Sequence, residues 1–213
     1  MTWDNALNTV MRMAETSLTT LSLFSLTLVF SLPLGLIMAF GRMSRIRPLS
    51  WLMSGYLLVM RGTPLMLQLI FFMYGIDLPF SRFQVAVVAF SLNYAAYFAE
   101  IFRAGIQGVP IGQREAANVL GFSKGQTFFR IILPQVVKNI LPPMGNEFMT
   151  LVKDTSLAQV IGVVEISALA NKMQAYYVTI LPIIIAGIFY LVMNAVVSSC
   201  FSLAEKRLGY YHQ

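Results

Sequence analysis

The stretch from Thr16 to Gly41 reads TSLTTLSLFSLTLVFSLPLGLIMAFG, and no charged residue occurs between Glu15 and Arg42. A helix crosses a hydrocarbon core of about 30 Å with ~20 mostly apolar residues. The stretch is longer than that, so it predicts a membrane-spanning helix. Pro33 and Gly35 lie inside it and predict a kink. The run is too long for a signal-peptide core, and it lacks a basic region before it and a small-residue cleavage site after it. A secretory signal is therefore not expected.

The rest of the chain agrees with a lipid environment. Of 213 residues, 57% are hydrophobic and 11% are charged, against roughly 25% charged in an average soluble domain. With a mean hydropathy of +0.71, the chain has too little polar surface to cover itself in water. Three further stretches follow the first, at about 49–76, 83–102 and 177–203. The second is interrupted only by Arg61, in Arg61-Gly62-Thr63-Pro64, and neither half is long enough alone. One span with a break or bend near Pro64 is predicted. The third ends in Glu100 and Arg103, three residues apart and so on one helix face. A weaker candidate, about 142–162, contains Glu147, Lys153 and Asp154. Together these readings give an all-α integral membrane protein, one transmembrane domain over residues 1–213, with about five transmembrane helices.

Charge orients the spans. Arg42, Arg45, Arg47, Arg103, Arg114, Lys124, Arg130, Lys138, Lys206 and Arg207 fall on one side, and Arg12, Arg82, Lys153 and Lys172 on the other. The richer side is the cytoplasmic one. An odd number of spans then places the N-terminus outside and the C-terminus inside. The same argument absorbs the formal net charge of +6: it reads as an orientation signal, and no nucleic-acid partner is expected. Cys200 is the single cysteine and His212 the single histidine, so neither a disulfide nor a His/Cys metal cluster is expected. Cys200 reads as an inert core or lipid-facing residue.

Residues 104–133 form the one long polar connection, on the cytoplasmic side between the third and fourth spans. It reads Gly112-Gln113-Arg114-Glu115-Ala116-Ala117-Asn118-Val119-Leu120-Gly121, and nine residues later Ile131-Ile132-Leu133-Pro134. Glu115 to Leu120 favours helix. The adjacent Ala116 and Ala117 leave a low surface that a partner can approach closely. Gly121 permits a bend that a side chain would resist. A second short helix can then run to Arg130, and Pro134 suits the start of the next.

The full spacing, E-A-A-x3-G-x9-I-x-L-P, resembles the signature loop of importer permeases of the ATP-binding-cassette superfamily. Arg61-Gly62-Thr63-Pro64-Leu65, Ala99-Glu100-Ile101-Phe102-Arg103-Ala104-Gly105-Ile106, Leu133-Pro134-Gln135, Pro142-Pro143 and Lys153-Asp154-Thr155-Ser156-Leu157 resemble the polar amino acid subfamily. The resemblance spans roughly residues 15–205. It implies that Glu115, Ala116, Ala117 and Gly121 belong to a coupling helix seated in an ATPase cleft. It also implies a dimer of permeases, homologous or identical, two cytoplasmic ATPase subunits and an extracytoplasmic substrate-binding protein. ATP and Mg would be bound by the partners, with no cofactor in this chain. The expected place is the bacterial inner membrane.

Ionisable residues at membrane depth cost about 2.5–3.5 kcal/mol on insertion scales and are usually paired or face a cavity. Arg61, Glu100, Glu147 and Asp154, with Asn146 beside Glu147, are the candidate pathway residues. Arg61 and Glu100 can equally form a structural ion pair or interfacial anchors, and Lys153 and Asp154 a helix cap or gate. A buried carboxylate at Glu147 favours a substrate with a cationic side chain, while a neutral polar amino acid or cystine is also compatible. Tyr94, Tyr97, Tyr176 and Tyr177 fit membrane interfaces. The chain has no G-x-x-x-x-G-K-[ST] phosphate loop and no catalytic set, so no enzymatic activity of its own is expected. A secondary amino acid transporter or channel remains the alternative, supported by the intramembrane carboxylates but leaving the loop unexplained.

Overall fold

In the computed structural model, which describes residues 3–77 and 79–208, every regular element is helical. The main helices are α1 (Trp3–Arg42), α2 (Arg47–Gly62), α3 (Leu65–Tyr74), α4 (Arg82–Gln107), α5 (Ile111–Val119) and α6 (Lys124–Thr127). A π-helical turn (Phe128–Ile132) leads into α7 (Leu133–Asp154). A 3-10 segment (Thr155–Ile161), α8 (Ile166–Tyr177) and α9 (Leu181–Leu208) follow. His212 lies outside the described residues.

Among the described residues, three helices, α1, α4 and α9, are long and apolar enough to cross a membrane. The pair α2 and α3 passes together and is bent by 104° at its break, giving up to four spans. The bend falls at Thr63 and Pro64, both in extended conformation between the two helices. Several sequence boundaries shift. With 40 residues, α1 is about 60 Å long at 1.5 Å per residue, so it overruns the predicted 16–41 at its N-terminal end. It continues unbroken through Pro33. The third candidate runs on to Gln107, past the predicted end at residue 102. The stretch 142–162 is the second half of α7 followed by the 3-10 segment. It is not among the helices apolar enough to cross.

Burial shows which helix is central. Of the most apolar 18 residues, 67% are buried in α4, against 28% in α1 and 11% in α9. The main partner of α4 is α1. Lipid tails are as apolar as leucine, so burial of apolar area gives such helices no reason to pair, and close van der Waals approach does. The sequence supplies it: Thr27, Ser31, Gly35 and Ala39 recur every four residues on the buried side of α1. A Cβ on Gly35 would meet the Ala95 carbonyl oxygen and the Phe98 Cβ at 2.9 Å. Gly105 plays the same part between α4 and α7, where a Cβ would come within 2.2 Å of Ile140 Cγ2. Cys200, on α9, is exposed.

Candidate functional site

The bend between α2 and α3 frees backbone carbonyls at the end of α2 from intrahelical hydrogen bonds. Side chains supply the donors instead. Gln68 Nε2 donates to the Met60 carbonyl at 3.0 Å, to the Thr63 carbonyl at 3.2 Å and to Thr63 Oγ1 at 2.7 Å. Asn93, on α4, donates to the Met60 carbonyl and to Gln68 Oε1, both at 2.9 Å. Both amides are buried. This clip holds the end of α2 against the middle of α4 and brings Arg61 to its side.

Two clefts open there, each of ≈ 470 Å³, and Arg61, Tyr97 and Glu147 line both. One is also bordered by Glu100, Asn139 and Pro143. The other is bordered by Asn93, Tyr94, Thr150 and Asp154. The walls follow helical periodicity. On α4 the lining residues Asn93, Tyr97, Glu100 and Ala104 share a face, and on α7 Asn139, Pro143, Glu147, Thr150 and Asp154 do. The Arg61 guanidinium carbon stands 5.5 Å from the Tyr97 ring centroid, a cation–π distance. Asp154 accepts a hydrogen bond from the Tyr94 hydroxyl at 2.7 Å. The clefts thus present one guanidinium, two carboxylates on α7, the Glu100 carboxylate on α4 and several uncharged hydrogen-bonding groups, a set suited to a small zwitterion.

The structure gathers Arg61, Glu100, Glu147 and Asp154 on this flank and leaves Asn146 apart. Asn146 is exposed and lines neither cleft; it is adjacent to Glu147 and so turned about 100° away on the helix. Glu100 pairs with Arg103, not with Arg61: Arg103 Nε donates to Glu100 Oε2 at 3.0 Å, and its other nitrogens reach Glu100 and Gln107. Sequence reasoning passed over Gln68, Asn93, Asn139 and Thr150, and it read Tyr94 and Tyr97 as interface residues where the structure buries Tyr94 and sets Tyr97 in both clefts. The polar stripe on α7 was a readable signal for Asn139 and Thr150. It also passed over Glu165, which is fully buried. Glu165 caps α8 by accepting from the Ser167 and Ala168 N–H groups at 2.8 and 2.7 Å, and accepts from the Tyr190 hydroxyl at 2.6 Å. Burial pushes the Glu165 carboxyl above the usual carboxylate range, against the pull of those three donors.

At the far end of α4, α5 ends in a Schellman motif. The Phe122 N–H donates to the Ala117 carbonyl and the Gly121 N–H to the Asn118 carbonyl, both at 3.0 Å, with Gly121 at φ +78°. This is the left-handed position that favours glycine. Ser123 then caps α6 through a reciprocal box with Gln126. Glu115 and Ala116 are exposed, but Ala117 is buried. The two alanines therefore do not form one open surface, because adjacent helical residues point about 100° apart. Ile111, Val119 and Leu120 supply exposed apolar area instead, at 73%, 87% and 73% exposure.

Residues 31–210 match the family described as "Binding-protein-dependent transport system inner membrane component". The chain is 42% identical to the L-cystine transport system permease protein TcyB of Bacillus subtilis (strain 168), over 90% of this chain and 84% of that one. It is 37% identical to the arginine transport system permease protein ArtQ of the same organism, over 89% of each. A solved amino acid ABC transporter, crystallised with histidines, superposes with a TM-score of 0.82 at 38% identity, over 89% of this chain and 91% of that one.

Proposed function

The chain belongs to the family of binding-protein-dependent transport system inner membrane components, and on that premise we propose that it is the transmembrane subunit of an ATP-driven importer of a polar amino acid. ATP hydrolysis then lies in two cytoplasmic ATPase subunits, and substrate arrives from an extracytoplasmic binding protein. A second permease, identical or homologous, closes the open side of the clefts. Relatives named for cystine and arginine support an amino acid as cargo.

The observation that carries the pathway is the shared lining of the two clefts by Arg61, Tyr97 and Glu147. Such a residue set is costly against lipid and useful against a zwitterion. In this reading Glu147 and Asp154 receive ammonium groups, with a preference for cationic side chains. The fifth crossing is α7, whose polar stripe faces the pathway. The whole chain forms one transmembrane domain, with the N-terminus outside and the C-terminus and residues 104–133 inside. The α5–Gly121–α6 unit is the coupling element: Glu115, Ala116 and the exposed apolar residues beside them dock on the ATPase, while Ala117 and Gly121 hold the unit's shape. ATP-driven approach of the ATPase subunits then reaches the clefts as a rigid-body displacement through α7.

Co-expression with a cognate ATPase subunit tests the assembly. A stable complex with two permeases and two ATPases is expected, with nucleotide binding confined to the ATPase. A permease that purifies alone under conditions where it transports would refute it.

A further inference from the structure

On the side where the reading above places the outer face, a third cleft, of ≈ 760 Å³, lies between α1, the start of α4 and residues 162–164. Arg82 borders it, together with Thr19, Ser22, Leu18, Leu26 and Gly162. Among the described residues, no carboxylate lines this cleft. The Arg82 side chain lies flat across Gly162: a Cβ there would meet Arg82 Nη1 at 2.3 Å and Cδ at 3.5 Å. Gly162 is left-handed, at φ +80°, so the bare glycine makes the resting place for the guanidinium. Among the described residues, no hydrogen bond or ion pair engages that guanidinium. Arg82 is exposed, and its donors are unspent among the described residues.

The Ser81–Gln84 capping box engages the Ser81 and Gln84 N–H groups at the start of α4, and Arg82 supplies the one full charge on the cleft's lining. The hydroxyls of Thr19 and Ser22 stand on the cleft wall formed by α1. Leu26, 36% exposed, continues that wall toward the centre of the span, and Phe83 does so on α4, while Leu18 stands outward of both hydroxyls. A cation and two hydroxyls at the interface, with apolar side chains inward of them, match the two halves of one molecule. We propose that this cleft binds an anionic phospholipid of the outer leaflet, with its phosphate on Arg82 and an acyl chain along Leu26 and Phe83. Arginine suits this role because its planar fork of donors matches phosphate oxygens. The assignment rests on the outward placement of Arg82 and makes no use of the transport pathway.

Native mass spectrometry of the assembled permease–ATPase complex tests it, with phosphatidylglycerol or phosphatidylcholine added in detergent. The wild-type complex is expected to retain phosphatidylglycerol in preference to phosphatidylcholine. Arg82→Ala should weaken that retention about tenfold, as loss of a charge-assisted contact implies. Ser22→Phe, which fills the cleft and keeps the charge, should weaken it as well, and it carries the test if Arg82→Ala fails to assemble. Retention unchanged in an assembled variant would overturn the proposal. Displacement of the lipid by an equal concentration of glycerol phosphate would show a soluble phosphate ligand instead. Unchanged lipid retention in Arg82→Ala with weakened docking of the binding protein would assign Arg82 to that partner. Because uptake is not measured, failure here leaves the transport reading standing.

Discussion

Glu147 concentrates the argument at the scale of single residues. It borders both clefts with Arg61 and Tyr97, so replacing it removes a charge and little volume. In reconstituted vesicles with the binding protein present, Glu147→Gln should lower uptake of a cationic amino acid at least about tenfold, the scale of one charge-assisted contact. The complex should still assemble. Unchanged uptake and unchanged preference would make Glu147 structural and remove the case for a cationic substrate. Gly121 gives a second residue-scale expectation. No atom lies within 4 Å of where its Cβ would be, so a side chain there meets only the backbone strain of φ +78°, about 1–2 kcal/mol. Gly121→Val should therefore distort the α5–α6 turn without disturbing the clefts. Substrate-stimulated ATPase activity should fall while the isolated permease stays folded and melts only a few degrees lower, the shift that this strain implies; normal coupling in the variant would remove the role. Glu147, Asp154 and Arg61 were legible in the sequence because charge is conspicuous in an apolar segment. Gln68, Asn93 and Tyr97 were not, since an uncharged polar residue in a helix gains its meaning from a distant partner: Gln68 and Asn93 are 25 positions apart, and Tyr94 and Asp154 are 60 apart.

At the scale of elements, the break between α2 and α3 was readable from Gly62-Thr63-Pro64, because proline cannot donate and the residue before it avoids the helical region. Its angle of 104° was not, because the angle depends on what satisfies the freed carbonyls. Gln68→Leu keeps the size and removes the clip, leaving an N–H of the buried Asn93 amide without its acceptor. A loss of about 1–3 kcal/mol follows for an unsatisfied buried group. The purified complex should melt at a lower temperature, and Asn93→Leu should add little to it, since the two amides act as one network. Additive losses would show two independent contacts. The fourth segment was the least legible element. Its polar residues depress its hydropathy, yet in α7 the cleft-lining ones fall on one stripe, so a linear average hides what a helical face reveals. The overrun of α1 and α4 past the apolar stretches, and of the C-terminal end of α9 past residue 203, has a related cause: helices continue into water, where hydropathy no longer marks their ends.

For the whole molecule, charge asymmetry predicts which side each connection faces. Cysteines introduced by Ser44→Cys and Asn118→Cys should react only with membrane-permeant thiol reagents in intact cells, and one introduced by Gln174→Cys should react with impermeant ones as well. Impermeant labelling at Asn118→Cys would invert or break the five-span topology. Beyond topology, a lone chain with clefts open on one flank calls for a partner permease, and an exposed helix–turn–helix unit calls for a motor. The central claim, that this chain couples ATP hydrolysis in partner subunits to amino acid entry, is tested most directly by uptake into proteoliposomes. They would carry the permease and its ATPase, with ATP enclosed and a substrate-loaded binding protein outside. Accumulation of radiolabelled amino acid that requires ATP, the ATPase and the binding protein together is the predicted result. Accumulation driven by an ion gradient, with the permease alone in the membrane, would contradict the account.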